Sequence, residues 1–248
     1  MRIGILGAGM IGANLARKLG RAGHEVRIAN SRGPETIREL AAETGATAVT
    51  AAEAVREVEI AIVSIPQGAV EKLPSGLFEG VPPEVIVIDT GNYYPGLRDA
   101  AIEEIEAGLP ESVWVSRKLG RPVVKAFNSI SFTSLAEAGR PAGDPGRIAL
   151  PVAGDETAAK QAVIDLLDGI GFDGIDAGPL EESWRQQPGT PVYCTDLDRE
   201  RATRALALAD RARAPDLRDR FIEQMLKALR AGEKPDLIAL GRAIYGAP

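Results

Sequence analysis

The chain has 248 residues, 45% of them hydrophobic and 26% charged, which is enough for one substantial α/β domain, a smaller addition and a sizeable core. Its 29 basic and 35 acidic residues leave a net charge of -6, and only 4% are aromatic. A chain that repels phosphate backbones and has few rings for base stacking excludes nucleic acid as its main partner. Cys194 is the single cysteine, so an intrachain disulfide and a cysteine-built zinc cluster are both ruled out and a reducing, cytoplasmic setting is expected.

Residues 1–9 are apolar but broken by Gly4, Gly7 and Gly9, which reads as a buried strand and its turn rather than a signal peptide. No apolar run approaches the roughly 20 residues of a membrane span, so no membrane partner is expected. In chain order, the pattern predicts a strand over 2–6, a turn over 7–12 and a helix over 10–22 with Ile11, Leu15 and Leu19 on one face. "HEVRIAN" is the second strand. "GPETIRELAAETG" follows as a helix, with Pro34 in its first turn and Gly45 after its end.

"ATAVT" is a short strand, and Thr50 is placed to cap "AAEAVREV". "EIAIVSIP" and "EVIVIDTGN" are further strands, followed by a helix over 98–107, strands at "PVVKAFN" and "RIALPVAG", a helix over 156–168 and a strand over 172–177. Residues 137–147, rich in Gly and Pro, read as a surface loop. Strands that alternate with helices and carry Ile/Val runs predict a doubly wound, mostly parallel sheet covered on both faces, a Rossmann-type α/β fold. After Pro179 the signal turns helical, over 197–213, 216–231 and 236–245. The expected organisation is a nucleotide-binding domain over 1–178 and a C-terminal helical region over 179–248.

Gly7, Gly9 and Gly12 form G-x-G-x-x-G between a strand and a helix. Gly7 allows the tight turn, Gly9 lets backbone approach a pyrophosphate, and Gly12 lets the helix pack closely on the strand, while free N–H groups of the helix start face the negative charge. The run Gly7, Ala8, Gly9, Met10, Ile11 and Gly12 is therefore the candidate dinucleotide cradle. An NAD site places an acidic residue about 20 residues past the glycines to hold the ribose. Asn30, Ser31 and Arg32 stand there instead. A carboxylate would repel a 2′-phosphate, whereas a hydroxyl and a guanidinium fork suit one. The ending selects NADP(H).

"GILGAGMIGANLARKLGRAGHEVRIANSR", "AIVSIP", "IDTGN" and "VVKAFNSI" together resemble the deazaflavin (coenzyme F-420)-dependent NADP oxidoreductase family, whose fold also serves as the NADPH domain of STEAP metalloreductases. The resemblance covers about residues 1–178. It implies hydride exchange between NADPH and coenzyme F-420, with Ser31 and Arg32 at the 2′-phosphate and Ser64, Ile65 and Pro66 along the nicotinamide ribose. It also implies that Lys125, Ala126 and Asn128 line the hydride-transfer pocket. The segment "ESWRQQPGTPVYCTD" (182–196) lies outside it.

Hydride transfer between two planar rings asks the protein for alignment and exclusion of water rather than for acids and bases. A carbonyl or imine acceptor would instead need a proton donor beside it. Lys125, set in an apolar strand, is either such a donor or anion site, or the partner of a carboxylate such as Asp89. Asp89 and Asn92 are placed to face the cleft, and Tyr93 and Tyr94 either wall the pocket or pack a turn. His24, at the entry to the second strand, and Cys194, without a histidine partner, read as structural. Trp184 and Arg185 are either a lid over the acceptor or the join between tail and sheet. Three readings follow: an NADPH-dependent oxidoreductase with a deazaflavin or flavin-like acceptor, a reductase of a small carbonyl or imine, and a non-catalytic NADPH-binding sensor. The stripe Leu217, Phe221, Met225 and Leu229 suits either a homodimer or an intrachain contact.

Overall fold

The computed structural model describes residues Met1–Pro248. Short apolar runs form strands β1 (Arg2–Leu6), β2 (Glu25–Ala29), β3 (Thr47–Ala48), β4 (Ile60–Val63), β5 (Ile86–Asp89) and β6 (Val124–Lys125). They make one parallel sheet in the order β3-β2-β1-β4-β5-β6. Register aligns Ile3 with Ile60 and Ile5 with Ile62, then Ile60 with Ile86 and Ile62 with Ile88. Because side chains alternate across a strand, Ile60 and Ile62 enter one core with Leu15 and Leu19 of helix α1 (Met10–Arg21). Ala61 and Val63 enter a second core with Trp114 on the opposite face.

The remaining helices are α2 (Arg38–Thr44), α3 (Ala51–Ala54), α4 (Glu103–Glu106), α5 (Glu111–Leu119), α6 (Phe132–Glu137), α7 (Thr157–Gly169), α8 (Arg199–Leu208), α9 (Ala214–Arg230) and α10 (Leu237–Tyr245). Thr50 caps α3 as expected: its hydroxyl accepts from Glu53 N–H while the Glu53 carboxylate accepts from Thr50 N–H. Gly45 ends α2 at φ +72°. The single helix expected over 33–45 instead divides into a tight 3-10 turn at Pro34–Ile37 and then α2.

Further corrections have local causes. The helix expected over 98–107 is reduced to α4, because Asp99 turns inward and accepts from Gly68 N–H (3.1 Å) and Tyr94 N–H (3.0 Å). The long helix of that region is α5, which follows Pro110 and stops at Gly120 with φ +66°. Its "SVWV" run carries β-type residues, but all four are buried. Strand β6 is only two residues long, since the chain turns at Phe127 with φ +61°. Ser131 then caps α6 by accepting from Ser134 N–H (3.0 Å).

Strands β7 (Ala149–Val152) and β8 (Asp173–Asp176) pair in parallel. They join the main sheet through reciprocal backbone bonds between Lys125 and Ala153 (2.8 and 3.0 Å), so β7 runs antiparallel to β6. Residues 180–197 then climb along this junction. Leu180 N–H donates to Asp155, Gln186 reaches Lys125 and Pro151 carbonyls, Cys194 N–H donates to Ser129, and Leu197 accepts from Ala149 N–H. Helix α8 packs on β7 and β8 through a third, smaller core. Helix α9 buries none of its residues completely, and Phe221 meets Tyr245 of α10 at 5.4 Å between ring centroids.

The interior holds one buried charge cluster. The Lys125 ammonium, fully buried, donates to Asp89 Oδ2 (3.1 Å) and the Gly91 carbonyl (2.6 Å) and lies 3.8 Å from Glu111 Oε2. Asp89 also accepts from Ser112 Oγ (2.6 Å) and Gly91 N–H (2.8 Å). One ammonium neutralises one carboxylate, so a second ionised carboxylate here would be uncompensated in a medium of low polarity. Burial accordingly pushes the Glu111 carboxyl up to about 7, against the opposing pull of Lys125 and with help from Asp89. An acid that binds its proton more tightly when folded loses stability as pH rises from the ordinary carboxylate range through 7. The loss here is on the order of 3 kcal/mol. Glu111→Gln should therefore flatten the fall in stability between pH 5 and pH 8, read by urea unfolding at both values. An undiminished fall in the variant would place the proton elsewhere.

Candidate functional site

The glycines of the first turn divide into two packing positions and one open position. A Cβ on Gly7 (φ +117°) would sit 2.0 Å from the Ser64 carbonyl oxygen, and one on Gly12 would sit 2.0 Å from the Gly7 carbonyl oxygen. Around Gly9 a Cβ would meet nothing within 4 Å. This is the geometry of a backbone that leaves room for a ligand at Gly9 while β1, α1 and the loop after β4 close on each other elsewhere. Helix α1 has no side-chain cap at its start and no acidic residue in its first turn, so its first N–H groups stay available to an anion. Ala8 and Ile11 are half-buried beside it, while Met10 is 63% exposed.

At the end of β2, Asn30 is occupied in shaping the turn. Its Oδ1 accepts from Arg32 N–H (3.1 Å), and its Nδ2 donates to Thr36 Oγ1 (2.8 Å). Ser31 and Arg32 are exposed. The nearest acid along the chain, Glu35, is paired with Arg38, so the Arg32 guanidinium is not taken up by it. A hydroxyl and an uncommitted guanidinium therefore project where a ribose-binding carboxylate would otherwise stand. With the cradle open at Gly9, these residues fit a phosphorylated dinucleotide.

The carboxyl ends of β4, β5 and β6 form the other half of the site. Ser64 N–H donates to the Leu6 carbonyl (2.8 Å), fixing the chain where β4 leaves the sheet. Ser64 and Ile65 are half-buried and Pro66 is exposed. The "KAFN" run is placed differently from what the resemblance implies. Lys125 lies in the charge cluster and Ala126 in the core, both with no exposure, and Asn128 is 2% exposed. None of these three side chains lines an open pocket. Of the two roles left to Lys125, the structure shows the pairing with Asp89.

Asn128 instead belongs to a chain of amides. Its Nδ2 donates to the Gln186 carbonyl (2.7 Å) and to Asn92 Oδ1 (3.1 Å), its Oδ1 accepts from Gln186 Nε2 (2.9 Å), and its carbonyl accepts from Asn92 Nδ2 (3.0 Å). Lys125 and Gln186 thereby set the position of the Gly91–Asn92 turn, and half-buried Asn92 presents it to the cleft. Tyr94 is half-buried, and its hydroxyl bonds that of buried Tyr193. Burial holds the Tyr94 phenol well above its ordinary range. Tyr93 turns away, its hydroxyl donating to Glu106 (2.7 Å) and accepting from Ile102 N–H.

His24 sits at the other end of β2, against the chain's amino terminus (3.3 Å). The Cys194 thiol is pushed up to about 12 by burial and is thus un-ionised at neutral pH. Trp184 lies between the Arg185 and Arg211 guanidinium groups, at 4.4 and 5.6 Å from its ring centroid. Arg211 also donates to the Gly108 carbonyl (2.6 Å), which sets Trp184 at a join between the tail and the body. Sequence reasoning overlooked Gln186, Glu111, Tyr193 and Arg98. Only Glu111 had a local signal, the Pro-Glu helix start; the others gain their roles from contacts 35 or more residues away or from a turn shaped by Asp99.

Residues 2–93 match the model of the family described as NADP oxidoreductase, coenzyme F420-dependent. The Escherichia coli (strain K12) protein YjhV is 47% identical over 81 residues, 31% of this chain and 59% of that protein; the chain thus spans under two thirds of this curated relative. The hypothetical protein SMa0349 from Sinorhizobium meliloti superposes with a TM-score of 0.65 at 28% identity, over 78% of this chain and 93% of that one. A candidate F420-dependent NADP-reductase from Arthrobacter sp. FB24 shares the fold, with a TM-score of 0.57 and 23% identity over 73% of this chain and 86% of that one. The likeness to that family model runs from β1 to the turn after β5, the part of the chain that holds the glycine turn and the end of β2.

Proposed function

We propose that this chain is an NADP(H)-dependent oxidoreductase that moves a hydride between NADP(H) and a deazaflavin or flavin-like acceptor. The observation that carries the cofactor half is the end of β2, where exposed Ser31 and uncommitted Arg32 replace a carboxylate beside a glycine turn open at Gly9. The bound nicotinamide supplies the hydride chemistry. The residues of this chain supply position: α1 N–H groups and Gly9 for the pyrophosphate, Ser31 and Arg32 for the 2′-phosphate, and the Ser64–Pro66 turn for the nicotinamide ribose. The braced Gly91–Asn92 turn fixes the wall against which the nicotinamide face would lie.

Alignment within a site of this kind lowers a bimolecular barrier by removing rotational and translational freedom. The family match supports a deazaflavin acceptor, and the buried ionisable groups engaged with one another around Lys125 suit a reaction that asks for no strong acid or base at the ring. A second reading, a small carbonyl or imine acceptor, is favoured by one feature. The Tyr94 hydroxyl lies in the turn after β5 and keeps its proton, so it can offer a hydrogen bond to a carbonyl oxygen or imine nitrogen.

Anaerobic mixing with NADPH and oxidised deazaflavin coenzyme, with free flavins in parallel, separates the readings by visible absorbance. Bleaching of the deazaflavin is expected; no bleaching of any ring, with NADPH bound, would remove the acceptor half of the proposal. Arg32→Ala should weaken NADPH by about 1.5–3 kcal/mol, the worth of a hydrogen bond to a charged group, and leave NADH affinity nearly unchanged. Equal losses for both cofactors, measured by fluorescence titration, would sink the phosphate assignment. Gly9→Ala should keep the wild-type unfolding midpoint yet bind NADPH more weakly. Gly12→Ala, whose Cβ collides with backbone, should lose about 1–3 kcal/mol of stability. The opposite pattern would mean that the open position and the packed one have been interchanged.

A further inference from the structure

A small polar pocket lies where the tail meets α4 and α5, built from none of the residues of the glycine turn or the end of β2. Its volume is about 120 Å³, well under the ~300 Å³ at which pockets for drug-sized ligands begin. An occupant therefore holds only a handful of heavy atoms. The two walls come from different parts of the chain. The body gives Tyr93, Glu106 at the end of α4 and Glu111 at the start of α5, and the tail gives Gln187, Arg211 and Arg218 of α9. One wall is acidic and the other cationic.

Both walls carry polar groups that the fold leaves unused. The Arg218 side chain is only 11% exposed, and its guanidinium lies 5.9 Å from the centre of the Tyr93 ring. Its one hydrogen bond within the chain runs from Nε to Asp219 (2.8 Å), so Nη1 and Nη2 are left free. Gln187 Nε2 is buried and has no acceptor. On the other wall Glu111 Oε2 is buried without a donor, with Lys125 standing off at 3.8 Å. Glu106 accepts from the Tyr93 hydroxyl through Oε1 and has Oε2 to spare. Buried polar groups are rarely left without partners in a native fold, and these surround one space. That space is fixed rather than a gap between loose segments. Arg211 donates to the Gly108 carbonyl, and Gly189 packs so tightly that its Cβ would lie 1.9 Å from the Ala214 carbonyl oxygen.

We infer that this pocket binds a small zwitterion of the α-amino acid class, its carboxylate on Arg218 and Gln187 and its ammonium on the acidic wall. A guanidinium fork meets a carboxylate in two parallel charge-assisted bonds. A simple oxyanion would satisfy the tail wall but would face Glu106 and Glu111. A simple amine would satisfy the body wall but would face two arginines. A ligand with both charges answers both walls, and in doing so fastens α9 to α4 and α5. The site is independent of the hydride-transfer reading, since Tyr93 turns away from the cleft and no residue of the pocket is among the proposed cofactor contacts.

Isothermal titration calorimetry of the full chain with glycine, acetate, methylammonium and inorganic phosphate, each with and without saturating NADP+, tests this. Glycine should bind at least about tenfold more tightly than acetate or methylammonium, the scale of one charge-assisted hydrogen bond. Its affinity should be the same with and without NADP+. Arg218→Gln should weaken glycine by about tenfold or more, and Arg218→Lys should restore part of the loss. Glu106→Gln, at an exposed position, should weaken glycine and leave acetate unchanged. Gln187→Leu removes a donor that has no partner in the chain, so it keeps the test open if Arg218→Gln unfolds. It should weaken glycine by about threefold or more, the worth of an ordinary hydrogen bond. No glycine binding, acetate or phosphate binding as tightly as glycine, or competition between glycine and NADP+ would overturn the inference. So would full glycine affinity in a folded Arg218→Gln or in Gln187→Leu.

Discussion

A single ammonium group, that of Lys125, is the point on which the rest of the site depends. It is held where β5 and β6 lie side by side, with Asp89 in register beside it and the Gly91 carbonyl above. A buried charge is tolerated only with partners and hydrogen bonds in place, so the sheet cannot shift here without exposing an unpaired ion. Asp89 in turn fixes Gly91 N–H and Ser112, which ties the turn after β5 to the start of α5. The same turn ends in Asn92, on which the amide chain and Arg98 both converge. A cluster with no exposure of its own thus sets the geometry of the surface proposed to face the cofactor.

The cradle shows how one residue type serves opposite ends. Gly7 and Gly12 carry no side chain because neighbouring backbone occupies the place of one; Gly9 carries none and that place is empty. The first two are a requirement of folding, and the third leaves the open space that the proposed pyrophosphate contact calls for. The end of β2 follows a similar division. Asn30 spends its amide on the turn, and by doing so leaves the next two side chains facing solvent.

Much of this was legible in the sequence. The glycine spacing, the strand after it and the missing carboxylate located the cofactor half, because each depends on residues close together in the chain. The order of alternating elements up to β5 was legible for the same reason. What escaped was long-range. The "SVWV" run of α5 has strand-forming residues, and its burial on a helix against the second core could not be read from neighbours in the chain. The inward turn of Asp99 removed a helix that periodicity supported. Lys125 left two readings open until its distance to Asp89 decided between them, and Gln186, in a stretch without pattern, could not be singled out before its contacts with Asn128 and Pro151 were seen.

The contacts of Gln186 bear on how the chain is made. Its amide supplies a donor to Asn128 and its carbonyl accepts another bond from it, so the wall at the end of β6 lacks these partners until residue 186 has been synthesised. Local folding of β1 through β5 can proceed on a nascent chain, since those strands pair among themselves. The turn after β6 must wait for a segment nearly sixty positions later. A growing polypeptide would accordingly acquire the glycine turn and its strands before the wall braced by Gln186, and the two halves of the proposed cleft would mature at different times.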